Sequence, residues 1–285
     1  MSILEVFKSK GIKESATIGI GLGESEDQIN TILDASKLFL NDNESKILLF
    51  TYKNIVSSVA QNPLFISLAP KLSLIECKYP EADILKFLHD KTIDAAIRGN
   101  LSSTKFLQNL KNTFNVLEVH RLALLETVKG YQFFFGPVGI DECTDIEKKI
   151  LFIEKALKQF ENLKLAPKIS ILSGGRLGDI GRNNHVDNTI NTAKEIVDFF
   201  KDKYKNLEIK HDEILIEDAI RNNANLIIAP DGISGNLIYR TLVHLGGGKA
   251  YGAIYMGLDH VIIDTSRVGS QSEIYGALII AQALV

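Results

Sequence analysis

The sequence predicts an α/β protein built on a mostly parallel sheet, and three observations carry that expectation. Short apolar bursts alternate with stretches of helical period along the chain, the pattern of successive strand and helix units. Glycine-rich junctions follow several bursts, so the chain leaves a strand and enters a helix through a loop of exposed backbone amides. A chain of 285 residues buries about three quarters of its unfolded surface, enough for one large domain or two modest ones around a cleft.

The elements follow in order. The first fifteen residues mix Glu5, Lys8, Lys10 and Lys13 with apolar residues at helical spacing, which reads as an amphipathic helix rather than a signal peptide. Strands are expected at 17–22, 46–51, 93–97, 131–135, 168–172, 226–229, 252–255 and 261–263, with helices between most of them. The clearest helix is 188–200, which places Ile190, Ala193, Val197 and Phe200 on one face and opens on Asp and Asn residues suited to capping. The apolar run 277–285 falls short of the ~20 residues a membrane span needs and reads as a buried terminal helix. No repeat, low-complexity tract or proline-rich linker is visible.

Composition narrows the function classes. A formal net charge of −3 and the lack of an arginine-rich stripe argue against nucleic acid and acidic lipid as partners. Cys77 and Cys143 form no CxxC pattern, which fits a reducing cytoplasm with both thiols buried as small hydrophobes. His89, His120, His185, His211, His244 and His260 show no metal-ligand spacing, so no metal is expected. Neither a G-x-S-x-G elbow nor a Walker A sequence occurs. The cluster Gly19 to Glu24 fails the G-x-G-x-x-G pattern, because Glu24 stands where the third glycine belongs, and it reads as a plain strand-to-helix turn.

Four junctions carry the candidate site. After Leu226-Ile227-Ile228-Ala229, Pro230 ends the strand and Asp231-Gly232-Ile233-Ser234-Gly235-Asn236 leads into a helical pattern that stops at Gly246-Gly247-Gly248. Unpaired N–H groups and partial positive charge at such a helix start suit an anion such as phosphate, while Ser234 or Asn236 also suits the role of cap. The strand 261–263 ends before Asp264-Thr265-Ser266-Arg267, where Arg267 offers a permanently charged fork. Ser173-Gly174-Gly175-Arg176 opens a loop with four glycines and with Arg176 and Arg182, readable as an anion-binding nest or as a mobile surface loop. Arg98-Gly99-Asn100 closes an apolar segment and is followed by Ser102-Ser103-Thr104.

The order Pro230-Asp231, Ser234-Gly235-Asn236, Tyr239, Leu245-Gly246-Gly247, Gly252, Gly257-Leu258 and Asp264-x-Ser266-Arg267 is similar to the carboxy-terminal half of the phosphotransacetylase and phosphotransbutyrylase family. Matches at 168–173 and 212–220 extend the resemblance from about Phe134 to the end, and the amino-terminal third matches weakly. That imbalance resembles the methanogen branch known as methanogenesis marker protein 4, which also carries the label of a methyltransferase subunit.

The resemblance implies a two-domain fold like that of isocitrate and isopropylmalate dehydrogenases, with an interdomain cleft. The first domain would comprise 1–116 with 257–285, and the second 117–256. It implies an acyltransferase taking phosphate or acyl phosphate, with coenzyme A as co-substrate, no tightly bound cofactor, and a homodimer. Ser266 and Arg267 would lie at the acyl and phosphate end. Glu273, six positions after Arg267, would stand where the family has an Asp that deprotonates the thiol. The longer side chain is a departure, and Ser270-Gln271-Ser272-Glu273 also fits a capping box that would hold Glu273 on a backbone amide. Further departures are Arg176 and Arg182 in place of a Ser/Thr-Lys-Gly loop, Asn109 where an Arg contacts coenzyme A phosphate, and a short connection at 221–225. Methyl transfer and non-catalytic coenzyme A or phosphate binding are the competing readings.

Overall fold

Strands form where the apolar bursts lie. In this computed structural model, which describes residues 2–11 and 15–285, contacts group the chain into two units, Met1–Val119 with Ala250–Val285 and His120–Lys249. The expected first helix is α1 (Ile3–Gly11); positions 1 and 12–14 of that expectation lie outside the described residues. β1 (Thr17–Leu22) is followed by α2 (Glu26–Asn41), β2 (Lys46–Tyr52), α3 (Lys53–Ala60) and α4 (Pro63–Ser67). Then come β3 (Leu72–Cys77), α5 (Pro80–His89), β4 (Ala95–Ile97) and α6 (Ser103–Phe114).

The second unit begins with the antiparallel pair β5 (His120–Glu126) and β6 (Gln132–Gly136). It continues through α7 (Ile146–Asn162), β7 (Lys168–Ile171), α8 (Asn184–Lys203), β8 (Glu208–His211), α9 (Ile216–Arg221), β9 (Leu226–Ile228) and α10 (Gly232–Arg240). β10 (Lys249–Met256), β11 (Val261–Asp264) and α11 (Gln271–Leu284) complete the chain.

In the first unit the strands run in the order β3-β2-β1-β4-β11-β10, parallel except for β10 against β11. In the second the order is β5-β6-β9-β7-β8, parallel except for β5 against β6. From β1 the chain runs outward through β2 to β3 and then crosses to β4 on the other side of β1, so a topological switch point lies between the carboxyl ends of β1 and β4. Open α/β sheets bind ligands at such points because the loops there part and leave a crevice.

Each unit has its own apolar packing. Phe50, Ile84, Leu85, Leu88, Phe106, Leu110 and Ile262 form one buried cluster of the first unit, with Phe50 and Phe87 edge to face at 5.0 Å. α11 carries little polar surface and buries Ile274, Ala277, Leu278, Ile280 and Ala281, packing on α1, α2, β4 and β11. In the second unit Phe134 meets Phe160 of α7 at 5.3 Å. Cys77 and Cys143 are buried free thiols. Among the described residues, no helix is long and apolar enough to cross a membrane.

Candidate functional site

The carboxyl ends of β1, β4 and β11 are adjacent in the first unit, and their loops are tied together by polar side chains. Asn100 accepts the Gly23 N–H at 2.6 Å through Oδ1, joining the loops after β1 and β4. Thr265 donates its hydroxyl to the Gly99 carbonyl at 2.8 Å. Arg98 is only 4% exposed. Its guanidinium donates to the Asp264 carboxylate, to the Leu101 carbonyl at 2.6 Å and to the Thr265 carbonyl. Arg98, the one charge beside Asn109 that the resemblance leaves to meet a coenzyme A phosphate, thus has its fork directed at the protein.

Glu273 is a buried, strongly perturbed carboxyl at this edge. The residue is 4% exposed, and Oε1 accepts the Ser266 N–H at 2.6 Å. The capping-box alternative holds by half: Ser270 Oγ accepts the Glu273 N–H at 3.3 Å, but the carboxylate reaches back to Ser266 rather than to the Ser270 amide. Oε2 has no donor among the described residues and lies beside Gly269, where a β-carbon would stand 3.0 Å away. Burial pushes the Glu273 carboxyl up to about 7, the Ser266 N–H opposes the shift, Asp264 adds to it, and Arg98 opposes it.

Ser266 and Arg267 are more exposed than this buried carboxyl. Ser266 Oγ accepts the Val268 N–H at 3.3 Å, which leaves its own proton to donate. Arg267 is exposed, and no described carboxylate pairs with it. Tyr52, at the end of β2, feels the Arg267 charge and donates its hydroxyl to the buried Glu81 at 2.8 Å; burial raises the phenol above its ordinary value. Nothing local in the sequence marks the Tyr52–Glu81 pair, since 29 positions separate its members.

The remaining candidates lie in the second unit, on the loops after the neighbouring strands β7 and β9. Asp231 caps α10 by accepting the Ser234 N–H at 2.8 Å, so the cap is Asp231 rather than Ser234 or Asn236. Asn236 instead donates to the Val138 carbonyl at 2.9 Å. Gly232 and Gly235 let α10 approach the loop after β6 closely: β-carbons there would fall 1.7 Å from the Gly139 oxygen and 1.9 Å from the Pro137 oxygen. Beneath this loop Lys149, 6% exposed, donates to the Pro230 carbonyl, and burial lowers its proton affinity.

The glycine loop after β7 is ordered by its own side chains. Ser173 is buried, donates to the Gly175 carbonyl at 2.8 Å and meets His211 Nε2 at 2.8 Å. The Gly174 N–H goes to Thr189 Oγ1 at 2.8 Å, the Arg176 N–H to Asp179 at 2.9 Å, and the Leu177 N–H to Glu213 at 3.2 Å. Gly181 donates to Asp187 at 3.0 Å. Several amides that suggested an anion nest therefore already hold anionic or hydroxyl partners from the chain itself. Asp179 also holds Arg182 at 2.5 Å, and Arg176 is exposed. Among the described residues, no group of three His, Cys, Asp or Glu is placed to hold a metal ion.

Residues 85–282 match the family model described as phosphate acetyl/butaryl transferase. The match begins upstream of Phe134, so it includes Arg98 and Asn109. A Methanosarcina barkeri protein named "Putative methyltransferase mtx subunit X" is 41% identical over 214 residues, covering 75% of this chain and 77% of that one. A Mycoplasma genitalium phosphate acetyltransferase is 28% identical over 127 residues, covering 41% of this chain and 39% of its own. A solved phosphotransacetylase from Streptococcus pyogenes has the same fold, with a TM-score of 0.73 at 16% identity over 99% of this chain and 98% of its own.

Proposed function

The chain belongs to the phosphate acetyl/butaryl transferase family, and from that premise we propose that it transfers an acyl group between phosphate and a thiol of the coenzyme A kind. The observation that carries this reading is Glu273: a buried carboxyl, held by one oxygen on the Ser266 N–H, with its proton affinity raised to about 7. A general base works best when its pKa lies near the working pH. The second oxygen, beside Gly269, is the one that accepts the proton.

The step balances simply. Glu273 takes the proton from the thiol, the thiolate attacks the carbonyl carbon of the acyl phosphate, the carbon–oxygen bond breaks, and inorganic phosphate leaves. Arg267 pairs with the phosphate, whose charge grows as it departs. Ser266 donates its hydroxyl proton to the carbonyl oxygen as negative charge develops there.

The name of the Methanosarcina barkeri relative supports a second reading, methyl transfer or a subunit role in it. The same proton acceptor serves there, because a thiolate also displaces a leaving group from a methyl carbon, the bond to the methyl donor breaking as the carbon–sulfur bond forms. Thermal stability with coenzyme A, acetyl phosphate, inorganic phosphate and S-adenosylmethionine separates the readings, since a ligand at 100 times its Kd stabilises by about 2.7 kcal/mol. Stabilisation by coenzyme A or acetyl phosphate that vanishes in Arg267→Ala is the expected result. A response to S-adenosylmethionine alone, or to none of the four, sinks acyl transfer. A response to coenzyme A without turnover leaves a binding protein.

A further inference from the structure

We infer that Arg98 is the positioning residue of this site: its buried fork locks the carboxyl ends of β4 and β11 together, fixes the backbone that carries Ser266 and Arg267, and neutralises Asp264 beside Glu273. The inference rests on the Glu273 assignment above and gives the interior of that site a definite role.

The geometry argues for more than a structural tie. Arg98 and Asp264 are 166 positions apart in sequence and meet as a part-buried pair. The same guanidinium holds the Leu101 and Thr265 carbonyls, and the Arg98 N–H donates to Ile263 at 3.0 Å. The loop from Thr265 is therefore held at its first residue by Arg98 and Gly99, and at its second by Glu273. Removing the fork takes away the tie on Asp264 and on the Thr265 carbonyl, so the connection between β11 and α11 is left with the Thr265–Gly99 and Ser266–Glu273 bonds.

Electrostatics point the same way. The charged groups acting on Glu273 are Asp264, which raises its proton affinity, and Arg98, which lowers it. α1, α2 and β1 also pack on α11, and among the described residues they supply no charge that acts on Glu273. Without Arg98, Asp264 loses the guanidinium that pairs with it, and like charge holds a neighbouring proton more tightly. Lysine in that place keeps the charge and loses the planar fork.

The test reads Glu273 directly and needs no turnover. Carbon-13 carboxyl NMR on glutamate-labelled protein gives its titration midpoint, with Glu273→Gln identifying the resonance. Arg98→Gln is expected to raise the midpoint by about one unit, and Arg98→Lys to keep it near the wild-type value. Because Arg98→Gln takes a charged partner from Asp264, a second comparison guards against misfolding: Arg98→Gln/Asp264→Asn should titrate above Asp264→Asn. A midpoint that stays put in both comparisons overturns the inference and leaves Arg98 a structural tie. Midpoints that move as expected in a protein that transfers no acyl group uphold the inference and count against the functional reading alone.

Discussion

Glu273, the proposed base, holds its raised proton affinity at a cost in stability. An ordinary carboxyl titrates at 4.5, and burial moves this one to about 7 in the folded chain. The folded state thus binds its proton more tightly than the unfolded state does. Its contribution to stability is fully present below about pH 4.5 and is lost as pH rises through about 7. Between pH 5 and pH 8 that loss is on the order of 2–3 kcal/mol. Glu273→Gln keeps an acceptor for the Ser266 N–H and removes the titration, so its melting temperature should overtake that of the wild type as pH rises across this range. Parallel melting curves at every pH would show that the carboxyl is solvated and ordinary. In turnover assays the same substitution should abolish the rise in rate through pH 7 that an ionising base produces.

At the scale of elements, close approach rather than propensity decides several features. The first turn of α10 lies against the loop after β6, and Gly235 has no room for a β-carbon, which would sit 1.9 Å from the Pro137 oxygen. The contact atom is backbone and cannot swing away, so Gly235→Ala should cost about 2–3 kcal/mol by overpacking, read as a lower urea midpoint with unchanged slope. A shift of a few tenths would mean that the turn is free to move. The fold was largely legible because continuous apolar bursts marked β1, β2, β6, β7, β9 and β11. β5 was missed because Leu122-Ala123-Leu124-Leu125 are good helix formers, and only pairing with β6 makes them a strand. β3 and β8 were missed as partly exposed strands, mixing Glu76 or Lys210 with apolar neighbours. The antiparallel pairs at β5–β6 and β10–β11 likewise depend on partners that the periodicity does not name. At the candidate site, Ser270-x-x-Glu273 spelled the cap for α11 but not the destination of the carboxylate, because the loop 266–269 folds back only in three dimensions. Arg98 was read as a ligand for phosphate, since no local pattern joins it to Asp264.

At the scale of the whole molecule, the first unit is assembled from both ends of the chain, and α11 joins them. It packs on α1 and α2 from the amino terminus as well as on β4 and β11. Leu278 is fully buried on this helix. Leu278→Ala removes its contacts and leaves a cavity, which costs about 2–5 kcal/mol. That loss belongs to the unit's own core, so hydrogen exchange should quicken together in β1, β4, β11 and α2, although more than two hundred positions separate β1 from β11. Amides of β6, β7 and β9 belong to a unit with a separate core around Phe134 and Phe160, and their protection should change less. Equal loss of protection in both groups of strands would mean that the two units open as one cooperative block. The expected asymmetry has a functional side: the α11 amino terminus carries Glu273, so loosening α11 should broaden the Glu273 carboxyl resonance while the Asp231 cap of α10 stays in place.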